Sequence, residues 1–402
     1  MSSPKNAAAK EKKRDFLPRL ADELKKRFGK GEEPRFFRAP GRVDWLGSHT
    51  DYNQGSILAS TVDREICVAA RLRKDGQLNF YALNLEQEVK TSLAKNAPDP
   101  AHGFANYPKG VIHEALEAGV RLPGLDLAFF GDIPIGANLS SSAALEAATM
   151  EAVLGLLDRP MTHWERSFIC WRAENRFVGM PCGILDQFTI INSKKDCVLY
   201  LDCDRLASEL IPFTFDAYYL LVIDSGVGRQ LVKSEYSRRV QECRAAFDAL
   251  RKLGYQVRSL SELKPWQIAE IEPKLEPLLF KRVRHVVTEN ERVNVARNIV
   301  ARQDFEHLGG LFEQGYESSG KDYENSAPEL DLLHDLLAKT EGVIGTRIAG
   351  AGWGGCLVSL VKKAPWQEIE AKVKGPYQKK TGRELRFFPV ETGEEPGEIS
   401  GS

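Results

Sequence analysis

The chain has 402 residues, which is enough for about two domains with separate hydrophobic cores. Its 55 lysines and arginines nearly balance its 56 aspartates and glutamates, so no overall charge favours nucleic acid or a membrane surface as a partner. No apolar run reaches the roughly 18–20 residues of a membrane span, and the first residues lack the apolar core of a signal peptide. Seven scattered cysteines without a CxxC pair argue against disulfides and structural zinc, so we expect a cytoplasmic protein.

The hydrophobic pattern predicts a β-rich start and a second half in which strands and helices alternate. Residues 1–15 and 396–402 are polar and lack an apolar period, so we expect both to be disordered. The predicted helices cover residues 17–28, 107–118, a segment ending near 157, 164–177, 231–253, 266–278, 283–308 and 366–373. The predicted strands cover residues 66–73, 78–83, 125–130, 197–201, 218–223, 356–361 and 385–388, and residues 345–355 are expected to form a glycine-rich turn. A polar stretch ending at Arg205 is the expected end of a first domain.

Residues 41–55 form a candidate ligand loop. They hold Arg42, Asp44, His49 and Asp51 between glycines. Loops on a rigid scaffold often carry such charged and polar groups to a ligand. The density of these groups favours a binding site over a solvated surface loop.

Residues 134–146 form a second candidate site. A predicted buried strand precedes this stretch, and a segment rich in Ala, Leu, Met and Glu follows it. A loop of small residues therefore opens onto a helix N-terminus, where unpaired N–H groups and the helix dipole favour phosphate. Ser140, Ser141 and Ser142 add hydroxyls that could cap the helix, bind phosphate or ligate Mg²⁺. An ordinary N-cap before a core helix is the alternative.

Two acidic residues follow in the next helical tract and the segment after it. Glu174 lies on the predicted helix of residues 164–177, and Asp186 lies among the apolar residues Ile184, Leu185 and Phe188. A carboxylate in such surroundings must be paired or face a ligand, or else it is costly to bury. A helix-capping aspartate is the alternative for Asp186.

Two glycine patterns resemble nucleotide motifs but lack the required context. Residues 350–355 match GxGxxG, yet a strand is predicted after them where a dinucleotide site needs a helix. Residues 315–322 nearly match a Walker A loop, but they end in Asp322 instead of Ser or Thr and follow a helical pattern. The sequence therefore supports neither NAD binding nor P-loop chemistry.

The remaining groups suit phosphoryl transfer to a small molecule. That reaction needs a cradle for the triphosphate, ligands for Mg²⁺, a group that orients or deprotonates the acceptor hydroxyl, and a cation for the developing charge. No GxSxG elbow is present, and the seven histidines are scattered, so no hydrolytic triad stands out. The residues alone predict a small-molecule kinase.

The ordered motifs resemble the GHMP kinase superfamily. Residues 42–53, with Arg42 and the run His-Thr-Asp-Tyr-Asn, are similar to the sugar signature of the galactokinases within it. Residues 135–144 resemble the family's phosphate loop, and residues 345–356 its C-terminal glycine motif. Further likeness at residues 180–188, 234–239 and 328–331 extends the resemblance over about residues 34–361.

The resemblance implies an α+β fold with two domains and an active site in the cleft between them. The N-terminal domain, residues 16–205, would hold a mixed sheet plus helices, and residues 206–395 would form an α+β C-terminal domain. It also implies ATP and Mg²⁺ as cofactors and a small sugar as the only other partner. We expect a monomer, and the sequence leaves a dimer open.

The resemblance also implies a role for each matching position. Asp186 would be the catalytic aspartate, and Arg42 would keep it ionised and stabilise the transferring charge. Gly352 and Gly354 would let the backbone approach the ligand closely. The implied sugar ligands are Ser48, His49, Asp51, Gly183 and Tyr236; the implied nucleotide ligands are Gly136, Asn138, Ser140, Ser141 and Ser142; and the implied metal ligands are Ser142 and Glu174.

One departure from the family bears on the substrate. Galactokinases usually carry Glu before the His-Thr-Asp run, where it bonds the sugar's 6-hydroxyl, and this chain has Ser48. Losing one hydrogen bond to a charged group costs roughly 1.5–3 kcal/mol. Galactose remains the first expected substrate of an ATP-dependent sugar 1-kinase, with L-arabinose or galacturonate as alternatives. Asp44 for the usual Asn and Trp353 for the usual Phe are milder differences. A non-catalytic sugar sensor is disfavoured because residues 140–144, Asp186 and Arg42 are intact.

Overall fold

The computed structural model describes residues 16–134, 136–228, 232–363 and 365–400. The expected disorder of residues 1–15 therefore falls outside the described residues. The helices are α1 Phe16–Phe28, α2 Asn106–Glu117, α3 Ser141–Leu156, α4 His163–Arg172, α5 Leu185–Asn192, α6 Val232–Lys252, α7 Ile268–Ile271, α8 Pro277–Ala301, α9 Phe305–Ser318, α10 Pro328–Leu337 and α11 Trp366–Thr381. The strands are β1 Arg35–Leu46, β2 Ser56–Leu72, β3 Gln77–Ala82, β4 Gln87–Ser92, β5 Leu125–Gly131, β6 Cys197–Asp202, β7 Ala207–Pro212, β8 Tyr218–Asp224, β9 Val343–Ala349, β10 Cys356–Lys362, β11 Arg386–Val390 and β12 Gly397–Ile399.

Eight strands form a mixed first sheet. Its order is β12-β1-β2-β5-β3-β4, with β6 also paired to β2 and β7 paired to β6. Among the strand pairs of the described residues, β3 and β5 alone run parallel. Alternate residues of β2 face opposite layers, because Val68 and Ala70 join the core with α2 and α3, whereas Cys67 and Ala69 pack with α1. The predicted mixed sheet with helices is confirmed.

Four antiparallel strands, in the order β11-β8-β10-β9, form the second sheet. Helices α9, α10 and α11 pack on it, and α8 joins this half to the first sheet. Val293, Ala296 and Val300 of α8 lie in the same buried core as the residues of β1 and β2. This connection brings the middle of α8 against the turn between β1 and β2.

The first strand is longer than the sequence suggested. Residues 41–55 were expected to be a loop, but β1 continues through Arg42 and Asp44 to Leu46. A register shift between Pro40 and Arg42 lets the strand pass the Pro-Gly pair as a bulge. A Cβ on Gly41 would lie 2.4 Å from the carbonyl oxygen of Leu139, so only glycine permits this close approach of β1 and the phosphate loop.

Three predicted helices of the second half are wrong in their extent, one of them the helix of residues 366–373, which continues to Thr381. The helix expected over residues 266–278 is broken into short helical turns, one of them α7, before α8 begins at Pro277, because Pro265, Pro273 and Pro277 each remove a backbone donor. The helix expected over residues 283–308 ends at Ala301, and Gln303 takes a positive φ of 54°. Asp304 then caps α9 by accepting from the backbone N–H of His307. Strand β4 was missed, since exposed polar residues dominate it.

The C-terminal tail was expected to be loose, and this is wrong for residues 397–399. Strand β12 pairs with Phe36–Arg38 of β1, so the end of the chain completes the first sheet. The expected domain boundary at Arg205 also falls inside that sheet, because β7 begins at Ala207 and pairs with β6. Sequence patterns fail here because β7 is mostly exposed, whereas β12 is very short and pairs with a strand near the other end of the chain.

The glycine pattern of residues 350–355 forms the turn between β9 and β10, so no helix follows it. Residues 315–322 lie at the end of α9 and in the π-helical turn after it, far from a strand-to-helix loop. Both rejections of a nucleotide motif are confirmed. None of the seven cysteines, all of which lie within the described residues, forms a disulfide bond. Among the described helices, none has the length and apolarity to cross a membrane.

Candidate active site

A cleft of about 280 Å³ collects nearly all the residues that the sequence singled out. Its walls come from β1, the turn after β1, the loop before α3, the segment before α5, Tyr236 of α6 and the turn after β9. The predicted site residues that line it are Arg42, Ser48, His49, Asp51, Gly136, Asn138, Ser140, Ser141, Ser142, Gly183, Asp186 and Tyr236. Glu174 lies behind this wall, where it accepts a hydrogen bond from Ser142.

The loop between β5 and α3 leads onto the N-terminus of a buried helix. Gly136, Asn138 and Ser140 all have positive φ values, which turn the chain sharply before α3. Helix α3 is buried from Ala143 to Leu154, so its N-terminal N–H groups have a fixed direction toward the cleft. Ile135, which belongs to the predicted phosphate loop, lies outside the described residues. The arrangement fits an anion at the start of α3.

The serine before α3 does not cap the helix. The side chain of Ser140 forms no cap hydrogen bond; its hydroxyl donates to Asp186 Oδ2 at 2.5 Å. Ser141 is exposed at the first position of α3. The alternative of an ordinary N-cap is therefore wrong, and the loop contacts the acidic centre of the cleft directly.

Arg42 and Asp186 form a close ion pair. The Nε and Nη2 of Arg42 donate to Asp186 Oδ1 at 2.8 and 2.5 Å. The Nη1 of Arg42 donates to the carbonyl of Asn138 at 2.7 Å, which ties the guanidinium to the phosphate loop. Arg42 is buried, whereas 29% of the Asp186 side chain is exposed to the cleft. Asp186 lies in the first turn of α5 without a capping bond, so the helix-cap alternative is wrong here too.

Asp51 and Gly183 lie in contact on the opposite wall. A Cβ on Gly183 would fall 1.6 Å from Asp51 Oδ2, so the backbone of residue 183 approaches the carboxylate as only glycine can. Burial, together with the charge of Asp186, raises the pKa of Asp51 to about 6. The backbone N–H of Gly183 also donates to the hydroxyl of Tyr236. Hydrogen-bonding groups therefore converge on this side of the cleft.

His49 lies in an aromatic cluster, and both of its ring nitrogens have protein partners. Burial lowers its pKa to about 3, so the ring is neutral. Its Nε2 donates to the carbonyl of Ala351 at 3.0 Å, and its Nδ1 accepts from the hydroxyl of Tyr52 at 3.0 Å. Tyr236 packs against the ring at 5.5 Å between centroids. The prediction that His49 holds a sugar hydroxyl requires exchange of one of these partners.

Ser48 presents a hydroxyl with no hydrogen-bond partner among the described residues. The residue is 4% exposed and lines the cleft. Its backbone is fully engaged, since its N–H and carbonyl both bind side chains of α8. A buried hydroxyl that faces the cleft without a partner suits a ligand or a bound water.

Glu174 and Ser142 supply oxygen donors beside the phosphate loop. Glu174 lies in the π-helical turn Ala173–Val178 and accepts from Gln187 Nε2 at 2.6 Å. Burial, with the charge of Asp186, raises its pKa to about 7. No cationic side chain of the described residues pairs with it, so a cation would stabilise its ionised form. The donor set of one hydroxyl and one carboxylate fits Mg²⁺, which takes only one or two protein carboxylates beside phosphate and water.

Gly352 and Gly354 were predicted to let the backbone approach the ligand, but in the structure both lie against protein atoms. A Cβ on Gly352 would meet the carbonyl of Asn325 at 2.2 Å, and one on Gly354 would meet Val227 at 2.9 Å. Gly350 and Ala351 line the cleft in their place. The sequence also missed that α8 supports the turn of residues 47–55 between β1 and β2, called the sugar turn after its predicted ligands, because contacts so distant along the chain leave no local signal.

Comparison with known proteins agrees with this geometry. The galactokinase galactose-binding signature matches residues 22–72, the GHMP kinase N-terminal domain matches residues 106–194, and the GHMP kinase C-terminal domain matches residues 296–379. The chain is 35% identical to a galactokinase of Halalkalibacterium halodurans over 91% of this chain and 93% of that one. It is also 35% identical to a galactokinase of Bacillus subtilis, over 93% of this chain and 97% of that one.

Solved structures show the same architecture. The galactokinase of Lactococcus lactis, crystallised with galactose, superposes with a TM-score of 0.91 at 29% identity and covers 96% of this chain and all of that one. A mevalonate kinase shares the fold at 20% identity, with a TM-score of 0.63 over 90% of this chain and 99% of that one.

Proposed function

The chain belongs to the galactokinases of the GHMP kinase family, and we propose that it transfers the γ-phosphoryl group of ATP to the anomeric hydroxyl of galactose. The products are galactose 1-phosphate and ADP. The observation that carries this proposal is the position of Asp186, whose two oxygens bind Arg42 and the phosphate-loop residue Ser140. Asp186 therefore lies between the wall that is proposed to bind the sugar (the sugar wall, with Ser48, Asp51, Gly183 and Tyr236) and the loop before α3 that is proposed to bind the phosphates.

Asp186 is proposed to orient the anomeric hydroxyl and accept its proton. The sugar oxygen then forms a bond to the γ-phosphorus, and the bond from that phosphorus to the bridging oxygen of ADP breaks. Arg42 pairs with Asp186 in the ground state and offers positive charge beside the transferring group. Its bond to the Asn138 carbonyl fixes the guanidinium where the phosphate loop begins. The backbone N–H groups at the start of α3, with Ser141, would hold the phosphates.

Ser142 and Glu174 would hold Mg²⁺, which, when bound, neutralises charge on the phosphate oxygens. On the other wall, Ser48, Asp51, Gly183 and Tyr236 would bind the sugar, with His49 shaping the pocket. All of these groups come from one chain, so we propose that a monomer is sufficient for activity. A cytoplasmic location remains an expectation from the sequence.

The sugar itself is tested by a panel of galactose, galacturonate and L-arabinose, with ADP release as the readout. We expect turnover of galactose and none without a sugar. Turnover of galacturonate or L-arabinose without turnover of galactose would move the function to that sugar. Absence of turnover with every sugar, together with saturable galactose binding, would favour a non-catalytic sensor. The hydrogen bond that Ser140 donates to Asp186 argues against a non-catalytic sensor.

Replacing Ser48 with Glu is expected to increase preference for galactose. The longer carboxylate can reach the 6-hydroxyl, and a charged hydrogen bond of about 1.5 kcal/mol lowers the KM for galactose about tenfold. The same charge repels the carboxylate of galacturonate. The matched control is Ser48→Gln, which has the length of Glu without the charge; it should keep only part of the gain for galactose, through a neutral hydrogen bond, and should not repel galacturonate. Unchanged sugar preference in Ser48→Glu would show that position 48 does not set specificity.

Sugar affinity is expected to fall as the pH falls through about 6. Asp51 has a raised pKa of about 6, so it is mostly ionised at pH 7 and mostly protonated at pH 5. If only the ionised form accepts the sugar hydroxyls, the KM for galactose is about tenfold higher at pH 5 than at pH 7. Initial rates at saturating ATP give the KM at each pH. The Asp51→Asn variant should have a high KM that does not change over this range, and a constant KM in the unaltered enzyme would contradict the assignment.

A further inference from the structure

Helix α8 holds the backbone of the turn that carries Ser48. Glu289 Oε1 accepts from the backbone N–H of Gly47 at 2.8 Å and from that of Ser48 at 3.1 Å. Glu289 is fully buried, 242 residues along the chain from Gly47. A buried carboxylate that accepts two backbone N–H groups fixes both peptide planes, because each bond has a preferred direction.

One turn earlier on the same helix, His285 holds the other side of Ser48. Its Nε2 lies 3.0 Å from the carbonyl oxygen of Ser48, which can only accept, so Nε2 carries the proton and donates. Its Nδ1 lies 2.9 Å from the hydroxyl of Ser318, which donates to it. His285 and Glu289 are four residues apart and therefore share one face of α8. The two side chains together bind both polar groups of the Ser48 backbone.

His285 and Glu289, which together are called the clamp, are themselves supported, because two arginines lie against Glu289. Arg292 Nε donates to Glu289 Oε2 at 2.7 Å, and Arg347 of β9 lies 3.7 Å from Glu289 Oε1 and 3.6 Å from Asp44 of β1. The far end of the turn is also held by α8, since Asn290 Oδ1 accepts from the backbone N–H of Ser56 at 2.7 Å. Both ends of the segment from Gly47 to Ser56 are therefore bound to a helix of the other half of the chain.

We propose that His285 and Glu289 are positioning residues that set sugar affinity by holding the Gly47–Ser48 backbone ready for the ligand. Neither residue lines the cleft, so each acts through the turn. The inference rests on the proposed function, in which Ser48, His49 and Asp51 face the sugar. If the turn is already ordered before the sugar binds, the binding free energy is not reduced by the entropic cost of ordering the turn. Loosening the turn therefore weakens sugar binding and leaves the phosphate loop, on another wall of the cleft, unchanged.

A matched pair of substitutions at residue 285 tests the clamp. His285→Phe keeps a ring against Tyr323, whose centroid lies 4.3 Å away, but removes the donor to Ser48. His285→Gln keeps a side-chain N–H that can reach the same carbonyl. We expect His285→Phe to raise the KM for galactose about tenfold, with the KM for ATP within about twofold of the original, and His285→Gln to recover most of the loss.

Val300→Ala is the control for general destabilisation. Val300 is buried in α8 but lies 15 residues from His285, about 22 Å along the helix. The Val300→Ala substitution should lower the melting temperature of the enzyme without changing its KM for galactose. An equal rise of both KM values in His285→Phe, an unchanged KM for galactose, or no recovery in His285→Gln would overturn the clamp.

Amide hydrogen exchange in the unaltered, sugar-free enzyme tests the clamp without any variant. The N–H groups of Gly47 and Ser48 should exchange as slowly as those of buried strands, because Glu289 holds them before sugar binds. Fast exchange at both positions would overturn the inference even if the variants fail to fold. This result is separate from the proposed function: an enzyme with a protected turn but no galactose turnover would retain the clamp and refute the assigned reaction.

Discussion

Replacing Asp186 with Asn is expected to lower kcat about 1,000-fold while leaving the KM values for sugar and ATP within a few fold. An amide can still accept the hydrogen bonds of Arg42, so the geometry of the cleft persists. It cannot take the proton of the anomeric hydroxyl, and a positioned general base contributes about 10²–10⁴-fold to such reactions. Steady-state rates and direct measurement of galactose binding separate loss of chemistry from loss of binding.

Asp126→Asn is the matched control for that experiment. Asp126 is a fully buried carboxylate paired with Arg71 and Arg73, but it lies on β5 outside the cleft. Its replacement should lower stability with little change in kcat. If Asp186→Asn retains turnover close to that of the unaltered enzyme, Asp186 is not the base and the proposed mechanism fails.

Replacing Gly183 with Ala is expected to lower kcat/KM for galactose about 100-fold. The added methyl would lie 1.6 Å from Asp51 Oδ2, so the carboxylate must move away from its place on the sugar wall. A displacement of about 1 Å in a positioning group can cost about 10²-fold in rate. The φ angle of Gly183 is not in the left-handed region, so the effect would come from the missing space and not from backbone strain. Kinetics with galactose varied at saturating ATP give the value.

Gly375→Ala is the matched control, because it adds the same methyl group at a position where no other atom lies close to it. Gly375 lies within α11, and a Cβ there meets nothing within 4 Å, so the variant should keep full activity and gain helix stability of up to about 1 kcal/mol. The KM for ATP should stay unchanged in both variants. A Gly183→Ala enzyme with the original KM for galactose would show that Asp51 does not bind the sugar.

Local patterns were sufficient to predict the parts of the site that lie within one stretch of chain. The small residues before α3 predicted a loop at a helix N-terminus, and the apolar neighbours of Asp186 predicted a paired or ligand-facing carboxylate. The family motifs then predicted that these stretches meet in one cleft. In the structure the predicted site residues line one cleft, except Glu174, which lies just behind Ser142, and Gly352 and Gly354, which lie against protein atoms.

Contacts between distant segments could not be predicted in the same way. Nothing near Ser140 indicates that its hydroxyl binds Asp186 instead of capping α3, because that choice depends on where α5 packs. The pairing of β12 with β1 depends likewise on 360 residues of intervening fold. His285 and Glu289 were predicted only as part of a helix, since their function depends on which turn that helix meets.

The buried charges near the sugar turn connect the two halves of the chain. Glu289 and Arg292 come from α8, Arg347 from β9 and Asp44 from β1, and all four are buried. Removal of one member of such a group leaves another charge buried without a partner, which is far more costly than loss of a surface pair. The same network holds Gly350 through Asp44 Oδ1, at 3.1 Å from its backbone N–H. The sugar turn and the turn after β9 are therefore expected to move together or not at all.

Phosphorus NMR of the reaction product tests the central claim most directly. The enzyme is incubated with galactose, ATP and Mg²⁺, and a phosphorus–proton correlation of the new phosphate signal identifies the sugar proton to which the phosphorus is coupled. We expect a doublet that correlates with the anomeric proton, together with a matching amount of ADP. Correlation with any other ring proton, a triplet, which marks the two hydrogens of the 6-position, or ADP release without any sugar phosphate would contradict transfer to the anomeric hydroxyl.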